Sequence, residues 1–441
     1  MDNLFDKLLG EKRNIIITSI ACAVVVFQVL AIFLTGGAGE KSAAGTNGAG
    51  GAGSQGGAAA TTAEPQHPDT AYFRILPATG DNANEIGQFV TWERGVMKED
   101  EVVMSFTGDC TLGTWPEASS KTNFTAVFDA AGSPTYPFDR VRSIFENDDY
   151  TYINLETTLT KATTRLNKGN NYNFKGDPEW GRTMLAASSI EGCNLSNNHS
   201  YDYKKDGYDE TKSSLASAGI DVGTDNDVIV TKLGDLEVVL LSANYISTSY
   251  NPSDVFGSDL TSLMIKQIKQ YKRDDNIVIV SCHWGLERRQ DANGDQCDPA
   301  HKLIDAGADM IIGHHPHTIQ GVELYKGKYI CYSLGNFSFG GKGDTDEINR
   351  VSLIARPRFA LRDGKSVVTG ISFIPCYTTS TEDLKTNNYQ PTMIFGAKAY
   401  ALIQRLKNVS AILPNPCKDF DAPSCDFGEE SSTDDTDEDE F

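Results

Sequence analysis

Short β-rich runs recur between about residues 100 and 380: VVMSF at 102–106, YTYINL at 150–155, EVVLLSA at 237–243, NIVIVSC at 276–282 and ADMII at 308–312. Each is followed by polar residues at its carboxyl end, and amphipathic stretches lie between them. This alternation predicts an α/β sandwich. Helices are expected in PFDRVRSIFEN from Pro137, DPEWGRTMLAASS from Asp177 and SLMIKQIKQYK from Ser262, where apolar residues recur every three to four positions. Pro137 and Pro178 suit the first turn of a helix. VIVTKLGDLEVVLL reads as a hairpin turning at Gly234 and Asp235, and strands from about Tyr329 to Pro375 suggest a second sheet. No repeat of about 20–50 residues is visible, which disfavours a solenoid or propeller.

Both ends of the chain differ from this middle. Residues 15–35, IIITSIACAVVVFQVLAIFLT, carry no charge and as a helix would span about 30 Å, the thickness of a bilayer's hydrocarbon core. Lys7, Lys12 and Arg13 precede them, so residues 1–14 are expected in the cytoplasm and the rest of the chain outside. A cleaved signal peptide normally has an apolar region of about 7–15 residues, so an uncleaved, single-pass anchor is the expectation. The Gly/Ala/Ser/Thr-rich stretch within 36–70 cannot bury enough apolar surface to order itself and is expected to be a tether. A folded domain is expected over 71–410, and a self-repelling acidic tail over 411–441.

The formal net charge is −21, and eleven acidic residues lie beyond Lys418. This balance argues against a nucleic-acid partner, because polyanion binding depends on clustered Lys and Arg. The nine cysteines form no CxxC pair, so they do not indicate a thiolate metal site. Cys417 and Cys425 could close a small loop in an oxidising compartment.

Metal-type ligands follow the strand runs: Asp109 after VVMSFT, Glu156 in YINLE, Asn198 and His199 in NLSNNHSYDY, His283 in SCHWGLE, and His314, His315 and His317 in GHHPH. The crevice at the carboxyl ends of strands is where open α/β sheets build sites. One buried Asp or His is commonly structural, but five of the seven histidines fall in these short motifs. Neutral imidazole and carboxylate suit zinc, manganese or iron, and two cations bridged by a carboxylate can activate water beside a phosphoryl group.

The ordered set GD at 108–109, NLE at 154–156, NNH at 197–199, HWGLE at 283–287, GHHPH at 313–317 and YSLGNF at 332–337 resembles the CapA/PgsA capsule-biosynthesis family of calcineurin-like metallophosphoesterases, over roughly 101–340. The resemblance implies a four-layer αββα sandwich and a centre of one or two divalent ions. It also implies a role in making, exporting or anchoring poly-γ-glutamate or a related polymer, beside membrane synthase or export subunits. By the same resemblance Asp109 is a ligand of the first metal and Glu156 the bridging carboxylate. Asn198, His283 and His315 would hold the second metal, and His317 would return to the first. His199 would be the general acid or phosphate contact, oriented by Asp202, and Asn336 would lie near the site. The chain departs from the wider superfamily after Asp109, where Cys110 and Thr111 replace the Asp-x-His pattern. The first metal is thereby left one histidine short, and the bridging position carries Glu in place of Asp.

Other residues keep two readings. His314 is a further ligand or a packed neighbour. Trp284 offers a face for an apolar or sugar-like surface, or packs in the core, and Glu287 lines the pocket or makes a surface ion pair. The whole chain likewise reads either as a cell-surface hydrolase of a phosphoester or polymer bond, or as an accessory subunit guiding an anionic polymer. A net acidic domain would hold a polyanion only through a metal or a local basic patch, for which Arg288 and Arg289 are candidates. Deleting residues 1–35 should release a soluble, folded domain; insoluble, unfolded product on fractionation and circular dichroism would contradict the tether.

Overall fold

The computed structural model describes residues 101–169, 172–246, 257–340, 347–381, 386–394 and 396–418. The expected anchor, the tether and Cys425 lie outside them. Among the described residues no helix is long and apolar enough to cross a membrane.

The strands in chain order are β1 (Glu101–Cys110), β2 (Tyr150–Leu155), β3 (Thr158–Leu159), β4 (Lys175–Gly176), β5 (Gly192–Asn194), β6 (Asp221–Gly223), β7 (Ile229–Leu233) and β8 (Leu236–Asn244). They continue with β9 (Asn276–His283), β10 (Met310–His314), β11 (Val322–Tyr325), β12 (Lys328–Cys331), β13 (Val351–Arg362), β14 (Lys365–Tyr377) and β15 (Thr392–Met393). The helices are α1 (Phe124–Ala131), α2 (Arg142–Phe145), α3 (Lys204–Ser217), α4 (Gly257–Tyr271), α5 (Gly294–Ala306) and α6 (Gly396–Ser410).

Two large sheets form, ordered β15-β14-β13-β1-β2-β5-β6 and β11-β12-β10-β9-β8-β7. Side-chain alternation assigns their faces. Met104 and Phe106 of β1, Ile277 and Ile279 of β9, and Met310 and Ile312 of β10 meet in one core between the sheets. Ile153 and Leu155 of β2 point the other way, to a layer holding Phe124, Phe138, Ile144 and Leu215. Val278 and Val280 of β9 point outward to Leu260, Met264, Ile268 and Leu303 of α4 and α5. Three cores separate four layers, the αββα arrangement expected.

Several expectations need correction. The helix expected from Pro137 is a single 3-10 turn, Tyr136–Phe138, followed by the short α2. From Asp177 the chain makes a π-turn at Gly181–Leu185 and a 3-10 turn at Ala186–Ser188. There Ser214 of α3 donates its hydroxyl to the Pro178 carbonyl, so packing against α3 claims backbone that a regular helix would use. The later strands do not form a second sheet of their own. β12 joins the second sheet, whereas β13 and β14 extend the first, because β1 has one edge open to β13 while β2 fills the other.

The folded domain also runs past residue 410. Leu413 and Cys417 are buried, the Leu324 amide donates to Asn415 and the Cys417 amide to Val322. Cys417 packs in the inter-sheet core; Cys425, its expected partner in a small loop, lies outside the described residues. The segment 411–418 therefore covers the edge of β11, which would otherwise leave strand groups unpaired.

A bulge in β1 aims the first acidic residue. Phe106 pairs with Tyr152 but Asp109, three positions on, pairs with Asn154, two positions on. The extra residue turns Asp109 to the inward phase of Phe106 and Tyr152, and leaves Cys110 outward. Just before it, a Cβ on Gly108 would lie 2.1 Å from the Gly335 carbonyl oxygen. Gly108→Ala should cost roughly 1–3 kcal/mol as overpacking, and an unshifted denaturant midpoint would refute so close an approach.

Candidate metal centre

The central strands β1, β2 and β5 run parallel in one sheet, and β8, β9 and β10 in the other. Their carboxyl ends deliver the site. Strand phase then decides which residues enter it. His283 follows Ile277 and Ile279 at even spacing and faces inward, and His314 follows Met310 and Ile312. Trp284 falls on the opposite phase. It is fully enclosed in the outer core, donates to the Tyr332 carbonyl at 2.9 Å and stacks on the Tyr332 ring. It is a core residue, and the ligand-facing reading is withdrawn.

Asp109 and Glu156 are both fully buried. Asp109 Oδ1 accepts from Asn154 Nδ2 at 2.8 Å, and His314 Nδ1 lies 3.2 Å away. Its Oδ2 accepts from the His315 amide at 3.2 Å and lies 3.3 Å from His317 Nδ1. Burial by itself would raise this carboxyl, but His314 and His317 hold it well below the usual carboxylate range. Glu156 has no such support, since neither carboxylate oxygen has a hydrogen-bond partner. Burial, then the nearby Asp109 charge, push Glu156 well above its ordinary range.

The histidines divide by environment. Burial and the neighbouring His315 depress His283, and burial with His317 takes His315 down to about 3. Burial opposes a proton on His317 too, but Glu156 and Asp109 overcome it and raise that ring to about 9. Neutral imidazoles are the form that binds cations. His315 and His317 adopt φ of 95° and 57°, a left-handed backbone that costs about 1–3 kcal/mol per residue and tends to persist at functional sites.

Among the described residues, three groups bring donor atoms within 4.8 Å of one another: Asp109, Glu156 and His317; Glu156, His283 and His315; and Glu287, His315 and His317. Asn198 Oδ1 sits 2.9 Å from His283 Nε2, beside the second group. Asn336 Oδ1 meets His317 Nδ1 at 2.9 Å. His314 touches Asp109 but belongs to none of the three groups. Glu156 is common to the first two, and its unpaired oxygens are the donors a bridging cation pair would use. The donor set of carboxylate, imidazole and amide oxygen fits zinc, manganese or iron.

His199 stands beside this centre. Its Nδ1 is 2.7 Å from Asp202 Oδ2, and its Nε2 is 3.9 Å from Glu156 Oε1. Asp202 is buried and also accepts from the Phe174 amide at 2.6 Å, while Lys168 pairs with its other oxygen. Lys168 Nζ comes within 3.1 Å of His199 Nδ1. Nothing in the sequence around Lys168 marks it, since its loop has no motif; only the fold places it here. Asn154 likewise gains its role from the fold. It supports Asp109 while its Oδ1 accepts from Asn194 and Asn197, which fixes the NNH loop.

The sequence profile described as "Bacterial capsule synthesis protein PGA_cap" matches residues 103–341. The chain belongs to this family. Within it, the chain is 30% identical over 257 residues to the "PGA biosynthesis protein CapA" of Bacillus subtilis, covering 55% of this chain and 64% of that protein. It is 31% identical over 223 residues to the "Capsule biosynthesis protein CapA" of Bacillus anthracis, covering 46% and 54% respectively. A Mycobacterium tuberculosis protein, "Probable polyglutamine synthesis accessory protein", is 29% identical over 225 residues, covering 46% of this chain and 59% of that protein. The chain thus spans less than two thirds of the length of these relatives. Among solved structures, the calcineurin-like phosphoesterase YfkN from Bacillus subtilis aligns with a TM-score of 0.36 at 12% identity, covering 66% of this chain and 95% of that one. The family's matched span holds every donor residue of the three groups.

Glu156→Gln should bind little transition metal, and without metal it should melt at a higher temperature than the parent, because a buried, unpaired carboxylate beside Asp109 is removed. Metal analysis and thermal melts in chelator check both halves; retained metal would remove Glu156 from the centre.

Proposed function

We propose that this protein is a membrane-anchored, extracytoplasmic component of capsule or poly-γ-glutamate biosynthesis, export or anchoring, carrying a divalent-metal, hydrolase-like site. The observation that carries the metal reading is Glu156: a carboxylate fully out of water, with both oxygens unpaired, between two sets of imidazole and carboxylate donors. Burial of such a group is costly unless a cation or proton compensates it. Asp109, Glu156 and His317 would hold one ion, and Glu156, Asn198, His283 and His315 the other. When bound, such ions polarise a phosphoryl or carbonyl oxygen and lower the pKa of coordinated water.

The chain's own chemistry centres on His199. Asp202 accepts the Nδ1 proton and fixes the ring, Phe174 packs against it with centroids 4.6 Å apart, and Nε2 is left turned toward Glu156. A ring held this way exchanges a proton at Nε2 with a leaving or attacking oxygen without being a metal ligand. Lys168 keeps Asp202 paired and adds positive charge near an anionic substrate. The substrate would be a phosphoester or an anionic extracellular polymer, and the partners the membrane subunits that synthesise or export it. The alternative, a guiding subunit without turnover, draws on the name of the mycobacterial relative, a probable accessory protein.

His199→Ala should keep its metal and lose about 10²- to 10⁴-fold in hydrolysis of phosphodiester or polymer substrates. Complementation of a capsule-deficient strain with the same variant separates the readings: restored capsule without hydrolysis would favour the accessory role.

A further inference from the structure

Asp109 is followed by Cys110 and Thr111, so the histidine that would complete an Asp-x-His pair is missing from the first metal's shell. Cys110 does not replace it. The β1 bulge turns its side chain into the outer core, away from the site. A further carboxylate reaches the site from another element. After β9 the chain turns at Gly285, with φ of 85°, and at Arg288, with φ of 62°. The Arg288 amide donates to the Pro316 carbonyl at 2.7 Å, which ties this loop to the turn carrying His315 and His317. Glu287 lies between these two fixed points. It is exposed, yet its carboxylate comes within 4.8 Å of the donor nitrogens of both histidines. His315 Nδ1 is buried and has no hydrogen-bond partner.

We infer that Glu287 is a metal ligand, supplied by the β9 loop beside His315 and His317, and not a pocket-lining or ion-paired surface residue. Its exposure puts it on the solvent side of the centre, whereas Glu156 is buried. A carboxylate there would lower the net charge of the bound centre relative to a histidine. The centre would therefore favour oxygen-preferring cations such as manganese more than a histidine-completed shell does. This assignment rests on the metal reading of the site.

The test uses the full-length protein in detergent, with manganese binding measured by equilibrium dialysis and elemental analysis, and cobalt substitution followed by visible absorption. For Glu287→Gln, one equivalent of manganese should bind at least tenfold more weakly and the cobalt bands should shift. Glu287→Asp should recover part of the affinity, and Arg289→Ala, whose side chain pairs with Asp291, should match the parent. If Glu287→Gln binds manganese and cobalt as the parent does while Glu156→Gln binds none, Glu287 is not a ligand and the metal centre stands without it. If affinity falls but the cobalt spectrum is unchanged, Glu287 acts only through its charge and the assignment is overturned. If the parent binds no metal, the reading of the centre fails along with the assignment.

Discussion

Two carboxylates, Asp109 and Glu156, are fully excluded from water at adjacent strand ends, and much of the surrounding architecture answers that charge. Like charges in a buried site cannot both ionise without compensation. Asp109 is answered within the protein by Asn154, the His315 amide, His314 and His317. Glu156 is not answered by any hydrogen bond. Burial and the Asp109 charge raise the affinity of Glu156 for a proton, and Glu156 and Asp109 raise that of His317 for another. A cation would displace those protons, which couples metal loading to pH and to stability.

The sandwich makes this arrangement possible. Each sheet supplies parallel central strands whose carboxyl ends open on the same crevice, and the inter-sheet core of Met104, Phe106, Ile279 and Ile312 sets their spacing from below. The β1 bulge is a local irregularity with a direct chemical consequence, since without the extra residue Asp109 would point to the outer layer where Cys110 now packs. The left-handed backbone at His315 and His317 serves the same end, turning both rings inward immediately after β10. Hydrogen bonds donated by Asn194 and Asn197 to Asn154 Oδ1 then hold the loop bearing Asn198 and His199.

Of the two groups that share Glu156, one adds Asp109 and a single histidine, His317, and the other adds two histidines, His283 and His315. On the proposed assignment Glu287 would add a donor from a different loop, 178 positions beyond Asp109 in the chain, at 287 against 109. Sequence motifs read one at a time present that as a depleted shell, whereas the folded chain presents an altered one. The chemistry changes with it, because a carboxylate ligand brings charge as well as an electron pair.

Much of the fold was written in local pattern. The run YTYINL became β2 with the bounds its residues suggest, the hairpin turned at Gly234 and Asp235, and the motif histidines fell at strand ends because apolar runs stop where polar ligands begin. What the sequence by itself determined was therefore the alternation of strands and helices, the family and a set of candidate donor residues. Tertiary structure decided which of those residues share one space. Strand phase sent Trp284 into the outer core and His283 into the site, although the two are adjacent in sequence. Loop packing brought in Lys168 and Glu287, and coverage of β11 carried the domain on to residue 418. The physical reason is common to all four: a ligand's position depends on distances between elements far apart in the chain, which burial of their shared apolar faces fixes only once the sheets have packed.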